Sequence, residues 1–361
     1  MLNSWDLAVS PTQHLVTILI FTSTLQSLQL RLGTDSTPSP YFHPPIKFWP
    51  PINVRALVLI QIDDESVLRS IGSVLRTATR LRELTMWADG DYMLRFSQVS
   101  SSWCGQVPFK LTSLDLRGFV DLGRPSCPLW SLLSPVALKA LTLNASLNVD
   151  SLDFSSFWET SVAADLRPKT LSTNLVMNGL EGFIQSFSGL EAFSITSSNT
   201  ACVPERLDLI LGALVKLHSA TLKVLSIDPK GALINHLLDD ASLNQLSKHF
   251  PKSEELRFGI YEAISVHAIQ TVLKFPNIRL LYITLSRGST EWILVGQEQY
   301  LSQMLQIGMA QKLKYFIFDD GPLFKVIRKP LRIMKERLPL GMIKDTFLFG
   351  DMVFGWNRGQ N

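Results

Sequence analysis

Short runs of alternating apolar and polar positions recur along this chain. Leu25-Gln-Ser-Leu28-Gln-Leu30 has the form LxxLxL, and so do Leu111-Thr-Ser-Leu114-Asp-Leu116 and Leu138-Lys-Ala-Leu141-Thr-Leu143. Conservative variants are Leu81-Leu84-Met86 and Leu222-Leu225-Ile227, and looser ones are Val54-Leu57-Leu59, Leu190-Phe193-Ile195, Ile278-Leu281-Ile283 and Leu313-Phe316-Phe318. Ser172-Leu175-Met177 and Ser253-Leu256-Phe258 have a polar first position. Side chains of a strand alternate with period two, so the fourth and sixth positions of each motif share one face of a short strand. The first positions fall at 25, 54, 81, 111, 138, 172, 190, 222, 253, 278 and 313, mostly 25 to 35 residues apart. Only the 18-residue step from 172 to 190 is too short for a full unit, which leaves 172–177 undecided as a repeat.

Helix-period stripes lie between these motifs. Asp63-Asp64-Glu65 precedes Val67, Leu68, Ile71, Val74 and Leu75, and the carboxylates sit where a helix N-terminus favours negative charge. Leu207, Ile210, Leu211, Leu214 and Leu217 form a second stripe, and Asp239-Asp240 precedes Leu243 and Leu246. Ile264, Ile269, Val272 and Leu273 form a fourth, and Tyr300, Leu301, Met304 and Leu305 a fifth.

One strand and one helix cannot bury such a face alone, but stacked units share a continuous core. The pattern therefore predicts an α/β leucine-rich-repeat solenoid: a horseshoe with a curved parallel sheet on the concave side and helices on the convex side. Residues 1–361 are expected to form a single domain. Its parts are an N-terminal capping helix region at 1–24, around the apolar run 15–21 (LVTILIF), about ten irregular repeats over 25–318, and a C-terminal cap at 319–361. Phe354 and Trp356 fit the sealing of a last repeat. The rival is a doubly wound α/β enzyme, which wants a glycine-rich turn to approach a phosphate. Neither GxGxxG nor GxxxxGK[ST] occurs.

Two stretches break the rhythm. Residues 37–51 (TPSPYFHPPIKFWPP) hold six of the 19 prolines, so an extended segment is expected in place of a helix. Residues 144–189 are the least regular, with Phe154, Phe157 and Trp158 among polar runs.

Composition narrows the function classes. Apolar residues make up 46% and charged ones 18%, a folding chain, with 58 leucines feeding the repeats. The net charge of +3 is too balanced to imply nucleic acid or an anionic membrane, and neither is expected as a partner. Cys104, Cys127 and Cys202 are scattered and odd in number, which fits a reducing compartment. With no signal peptide or membrane-length apolar run, a cytoplasmic or nuclear location is expected.

The six histidines show no metal-ligand spacing, there is no GxSxG elbow, and acidic pairs at 63–64, 239–240 and 319–320 read as caps and turns. No catalytic residue, metal or cofactor is predicted, and the chain is not expected to be an enzyme. Residues 325–337 (KVIRKPLRIMKER) carry six basic residues and one acid, but Pro330 interrupts any helix, so a solvated basic face is expected.

What remains is the outward sheet face. The third, fifth and seventh positions of each motif point away from the core and are mostly small or polar. Trp87, Arg117, Arg257, Tyr282 and Tyr315 stand out on it, and aromatics and arginine dominate interface energetics. These five are the candidate contacts for a protein partner on the concave face.

The LxxLxL units, their 25-to-35 spacing, and the phrases FPNIRLLYI and LSPVALKALTL resemble the long, ribonuclease-inhibitor-like leucine-rich repeats. Phe-Pro before the strand, at 250–251 and 275–276, is similar to the substrate domains of fungal F-box proteins. That resemblance covers about residues 15 to 320 and is one of fold. It implies substrate presentation to a Skp–cullin ubiquitin ligase, with the Skp adaptor as a second partner. An F-box is an N-terminal helical module usually opening with Leu-Pro. Here 24 residues precede the first LxxLxL and no Leu-Pro opens them, so the adaptor activity does not carry over.

Overall fold

A computed structural model describes residues 4–8, 26–31, 53–89, 93–100, 108–122, 129–146, 155–176, 179–196, 204–228, 240–260, 270–285, 311–318, 323–328 and 331–336. The chain divides into two compact units, Met1–Ser186 and Phe187–Asn361. The runs 15–21 and 37–51, all three cysteines, the helix stripe at 300–305, Phe354 and Trp356 lie outside the described residues.

The first unit holds β1 (Ser4–Ala8), β2 (Ser27–Arg31), β3 (Ala56–Ile62), β4 (Glu83–Ala88), β5 (Ser113–Arg117), β6 (Ala140–Asn144) and β7 (Thr170–Thr173). Each strand pairs in parallel with the one before it, in chain order. A doubly wound sheet would reverse its strand order at a switch point; this order does not reverse. Between strands lie α1 (Glu65–Thr77), α2 (Phe96–Ser100), α3 (Leu129–Leu132), α4 (Ser155–Ala163) and α5 (Leu180–Gln185), with a 3₁₀ turn at Pro135–Ala137.

The motifs set the register. Leu57, Leu84, Leu114 and Leu141 stand in one row across β3 to β6, and Leu59, Met86, Leu116 and Leu143 in the next. All eight are buried. On α1 the predicted stripe supplies Val67, Leu68, Ile71 and Leu75 to the core. A bulge at Gln61 (φ 56°) breaks the alternation of β3, so that Ile62, three residues after Leu59, takes the next buried place in the row.

A second ladder runs across the N-terminal ends of the strands. The carbonyl of each second-position residue accepts two N–H groups from the next repeat. Gln26 O takes Arg55 and Ala56, Arg55 O takes Arg82 and Glu83, Arg82 O takes Thr112 and Ser113, and Lys139 O takes Lys169 and Thr170. Every repeat is thereby pinned just before its strand begins.

Two expectations change in this unit. Ser4–Ala8, inside the segment read as a helical cap, is a strand paired to β2. The repeat read at Ser172-Leu175-Met177 begins four residues earlier: β7 puts Leu171 opposite Leu141, with Pro168 in first position. The steps of 34 and 18 residues become 30 and 22. The irregular stretch 144–189 packs through aromatic rings, Trp130 to Phe157 at 5.4 Å, Phe157 to Trp158 at 5.1 Å, and Trp158 to Phe183 at 5.0 Å. The buried indole of Trp158 donates to Leu175 O at 3.2 Å.

The second unit holds β8 (Ala192–Thr196), β9 (Val224–Asp228), β10 (Glu255–Ile260), β11 (Leu280–Leu285) and β12 (Tyr315–Phe318), parallel and in chain order. Helix α6 (Pro204–His218) follows β8 and α7 (Asp240–His249) follows β9. Leu207, Ile210, Leu211 and Leu214 of α6 are buried, as are Leu243 and Leu246 of α7. Phe250 and Phe275, each before a Pro, fill equivalent core positions. Beyond β12 the sheet turns antiparallel, through β13 (Leu323–Arg328) and β14 (Leu331–Glu336). The basic stretch 325–337 is thus largely an antiparallel pair of strands rather than a free amphipathic segment. Val326 of this stretch is buried, and the half-buried Phe324 just before it stacks on Phe316 at 4.8 Å.

Candidate functional site

The outward face of the first unit is small and polar in the way the pattern predicts. Thr85, Ser113, Asp115, Thr142 and Asn144 are all half-buried along β4 to β6. Three candidate-face residues meet there. Arg117 donates through Nε to Asp115 Oδ1 at 2.8 Å and through Nη2 to Asp115 Oδ2 at 2.9 Å. Its guanidinium carbon stands 4.6 Å from the ring centre of Trp87. Trp87 and Arg117 are register partners on β4 and β5, which brings the cation over the indole. The bidentate fork holds the guanidinium flat, and the ring quadrupole attracts it. Trp87 is 6% exposed beneath.

In the second unit the same face is buried. Arg257 and Tyr282 are register partners on β10 and β11, with the guanidinium carbon 4.3 Å from the ring centre. Arg257 is 8% exposed and Tyr282 1%. Ser194, Val224, Ser226, Leu280 and Ile317, all outward by alternation, are buried as well. The expected solvated face therefore holds along β5 and β6 of the first unit, is interrupted there by buried Trp87, Ile60 and Ser172, and fails in the second unit. Strands buried on both faces read as near-continuous apolar runs, and β11 (LLYITL) and β12 (YFIF) do. Tyr315 is half-buried and lines a pocket of about 460 Å³ with Arg279, Lys312, Lys314 and Lys325.

Charge at the second positions differs between the units. In the second unit it runs Glu191, Lys223, Glu254, Arg279, Lys314. Lys223 Nζ donates to Glu191 Oε2 at 2.8 Å and Arg279 Nη1 to Glu254 Oε2 at 3.0 Å. The hydrogen bond and charge of Glu191 hold the Lys223 ammonium above its ordinary range, with Glu254 adding to the effect. In the first unit the series is Arg55, Arg82, Thr112, Lys139, Lys169, all exposed but the half-buried threonine. This row lies one residue after each first position, outside the apolar pattern of the motifs. Reading the residue after each first position would have found it.

Other candidate chemistry is taken up by the fold. Buried His218 accepts the Leu190 N–H at Nδ1, 3.1 Å away, and meets Phe187 edge-on. Buried Asp121 accepts the N–H groups of Phe96 and Ser97 at 2.6 and 2.9 Å, capping α2 from across the repeat. Among the described residues no three His, Cys, Asp or Glu side chains gather around a metal-sized gap, and no helix is long and apolar enough to cross a membrane.

No protein-family profile matches this sequence, and no curated protein matches it at a significant level.

Proposed function

We propose that this chain is a leucine-rich-repeat horseshoe that works as a protein-binding scaffold and not as an enzyme. The observation that carries this reading is the face formed by β4, β5 and β6. It sets an oriented arginine, a carboxylate and a tryptophan among half-exposed threonines, serine and asparagine on a sheet fixed by its core. An arginine held rigid over a buried tryptophan, with small polar surroundings, suits a protein interface. In-register repeats with sequential strand order also support a solenoid.

The test is affinity capture from the host with the tagged full chain, run beside Thr142→Arg. Thr142 is the register partner of Asp115, so an arginine there obstructs the face without cutting into the core. Proteins captured by the wild type and lost by Thr142→Arg, at unchanged melting temperature, support the reading. The same proteins in both samples sink it. Skp and cullin subunits in the captured set would make this the substrate subunit of a ubiquitin ligase.

A further inference from the structure

Arg55, Arg82, Lys139 and Lys169 occupy one row at the N-terminal ends of β3, β4, β6 and β7, each one residue before its strand. The two-N–H ladder fixes their backbones in successive rungs. Four strand-to-strand steps separate the outer two, about 19 Å at the usual strand spacing. Arg55 therefore stands beside Arg82, and Lys139 beside Lys169. Like charges side by side on neighbouring strands are destabilising. In the second unit Glu191 and Glu254 offset this cost with ion pairs at 2.8 and 3.0 Å, although Arg279 and Lys314 are like-charged neighbours there too. The first unit puts no acid in the row.

The surroundings add to the charge. Exposed Arg80 and Lys110 lie two residues before Arg82 and Thr112, with Arg80 Nη1 on Asn53 Oδ1 at 2.9 Å. Arg82 Nη1 donates to Lys110 O at 2.9 Å, which draws these two repeats together. Two exposed carboxylates are near in sequence. Asp165 is held by Arg167 at 2.7 Å, and Glu83 opens β4. The strip stays strongly basic.

We infer that this row is a docking strip for an extended acidic segment of a partner protein, lying across the strand ends. The inference rests on the scaffold reading and names the partner's chemistry. An extended chain advances about 3.3 Å per residue, so six or seven residues match the row. Bases of single-stranded nucleic acid would want aromatic platforms between the cations, and Arg55, Arg82, Thr112, Lys139 and Lys169 include none. Bound carboxylates would relieve the like-charged neighbours Arg55 and Arg82, so attraction and relief of repulsion act together.

The experiment measures fluorescence anisotropy of a labelled octaglutamate peptide titrated with the full chain. Octaglutamine and octathymidylate serve as comparison probes. Octaglutamate binds, octaglutamine does not, and binding weakens severalfold as salt rises from about 50 to 300 mM. Arg82→Glu with Lys139→Glu weakens it about tenfold or more, since attractive contacts become repulsive. Arg55→Glu with Lys169→Glu does the same, which keeps the test open if the first pair misfolds. Lys216→Glu with Lys248→Glu makes the same charge change on the exposed surfaces of α6 and α7 and leaves binding within about twofold. No octaglutamate binding, equal loss in all three double variants, or tighter binding of octathymidylate overturns the inference. If octaglutamate fails while Thr142→Arg still abolishes capture, the strip falls and the scaffold stands. If capture is insensitive to Thr142→Arg as well, both fall.

Discussion

Arg257 stacks on the ring of Tyr282, its direct register partner one strand away, at 4.3 Å. Trp87 and Arg117 repeat the arrangement at 4.6 Å. Parallel strands stand about 4.8 Å apart, close to the distance at which a guanidinium rests on a ring. Repeat geometry thus places an arginine on an aromatic whenever the two types fill equivalent outward positions of neighbouring repeats. Tyr282 is buried under this contact, so truncating it removes core-like packing. Tyr282→Ala is expected to lower stability by about 3–5 kcal/mol, similar to other buried aromatics. A urea-denaturation midpoint within error of wild type would contradict the burial of this face.

The Trp87–Arg117 pair is more open and calls for a cycle rather than a deletion. Trp87→Leu, Arg117→Met and the double variant should show a coupling of about 0.5–2 kcal/mol, the range of cation–π contacts at partly desolvated sites. Asp115 is left without its fork in Arg117→Met, so that single variant should be the costlier of its class. Additive effects would mean that the ring and the guanidinium merely coexist.

Much of the fold could be read from the chain because the first, fourth and sixth positions of most repeats are apolar and buried. Leu114 shows this, as a motif leucine in strand register and fully buried. Leu114→Ala should cost about 2–5 kcal/mol. The repeat at β7 was misplaced because its sixth position is Thr173. This buried hydroxyl is satisfied by accepting the Leu175 N–H at 2.9 Å, so a polar residue fills an apolar slot. The β13–β14 pairing escaped because its strands alternate without the LxxLxL spacing. The candidate face was legible in part. Alternation says which residues turn outward, but not whether that face meets water, and Arg257 and Tyr282 are buried where Thr142 and Asp115 are not.

Glycine at 118 is required twice over. Its φ is +79°, and a Cβ there would stand 2.2 Å from Ala88 O, a backbone atom that cannot yield without moving β4. Gly118→Ala should therefore destabilise by more than the roughly 1–3 kcal/mol of left-handed strain alone. Gly212 is the internal comparison. It sits within α6, and a Cβ there meets nothing within 4 Å. Gly212→Ala should stabilise by about 0.4–1 kcal/mol, chiefly by restricting the unfolded chain. Thermal melts of the two variants should move in opposite directions. A shared direction would mean that the turn after β5 is not built as described.

Lys223 offers a test of the ion-paired row in the second unit. Its side chain donates to Glu191 at 2.8 Å, and that bond and charge raise its pKa above the ordinary 10.5, against a small desolvation effect. Raised folded-state affinity for the proton means that the pair stabilises the native state while lysine is charged in both states. That contribution is complete below the ordinary lysine pKa and is lost as pH climbs through the raised value. Glu191→Gln removes the first and largest cause, so the Lys223 side-chain resonance should titrate at lower pH in that variant. The melting-temperature gap between wild type and Glu191→Gln should stay flat from about pH 7 to 9 and close only above the ordinary lysine range. A Lys223 titration unchanged by Glu191→Gln would assign the raised pKa to Glu254 instead, and the row would then be held by the neighbour on its other side.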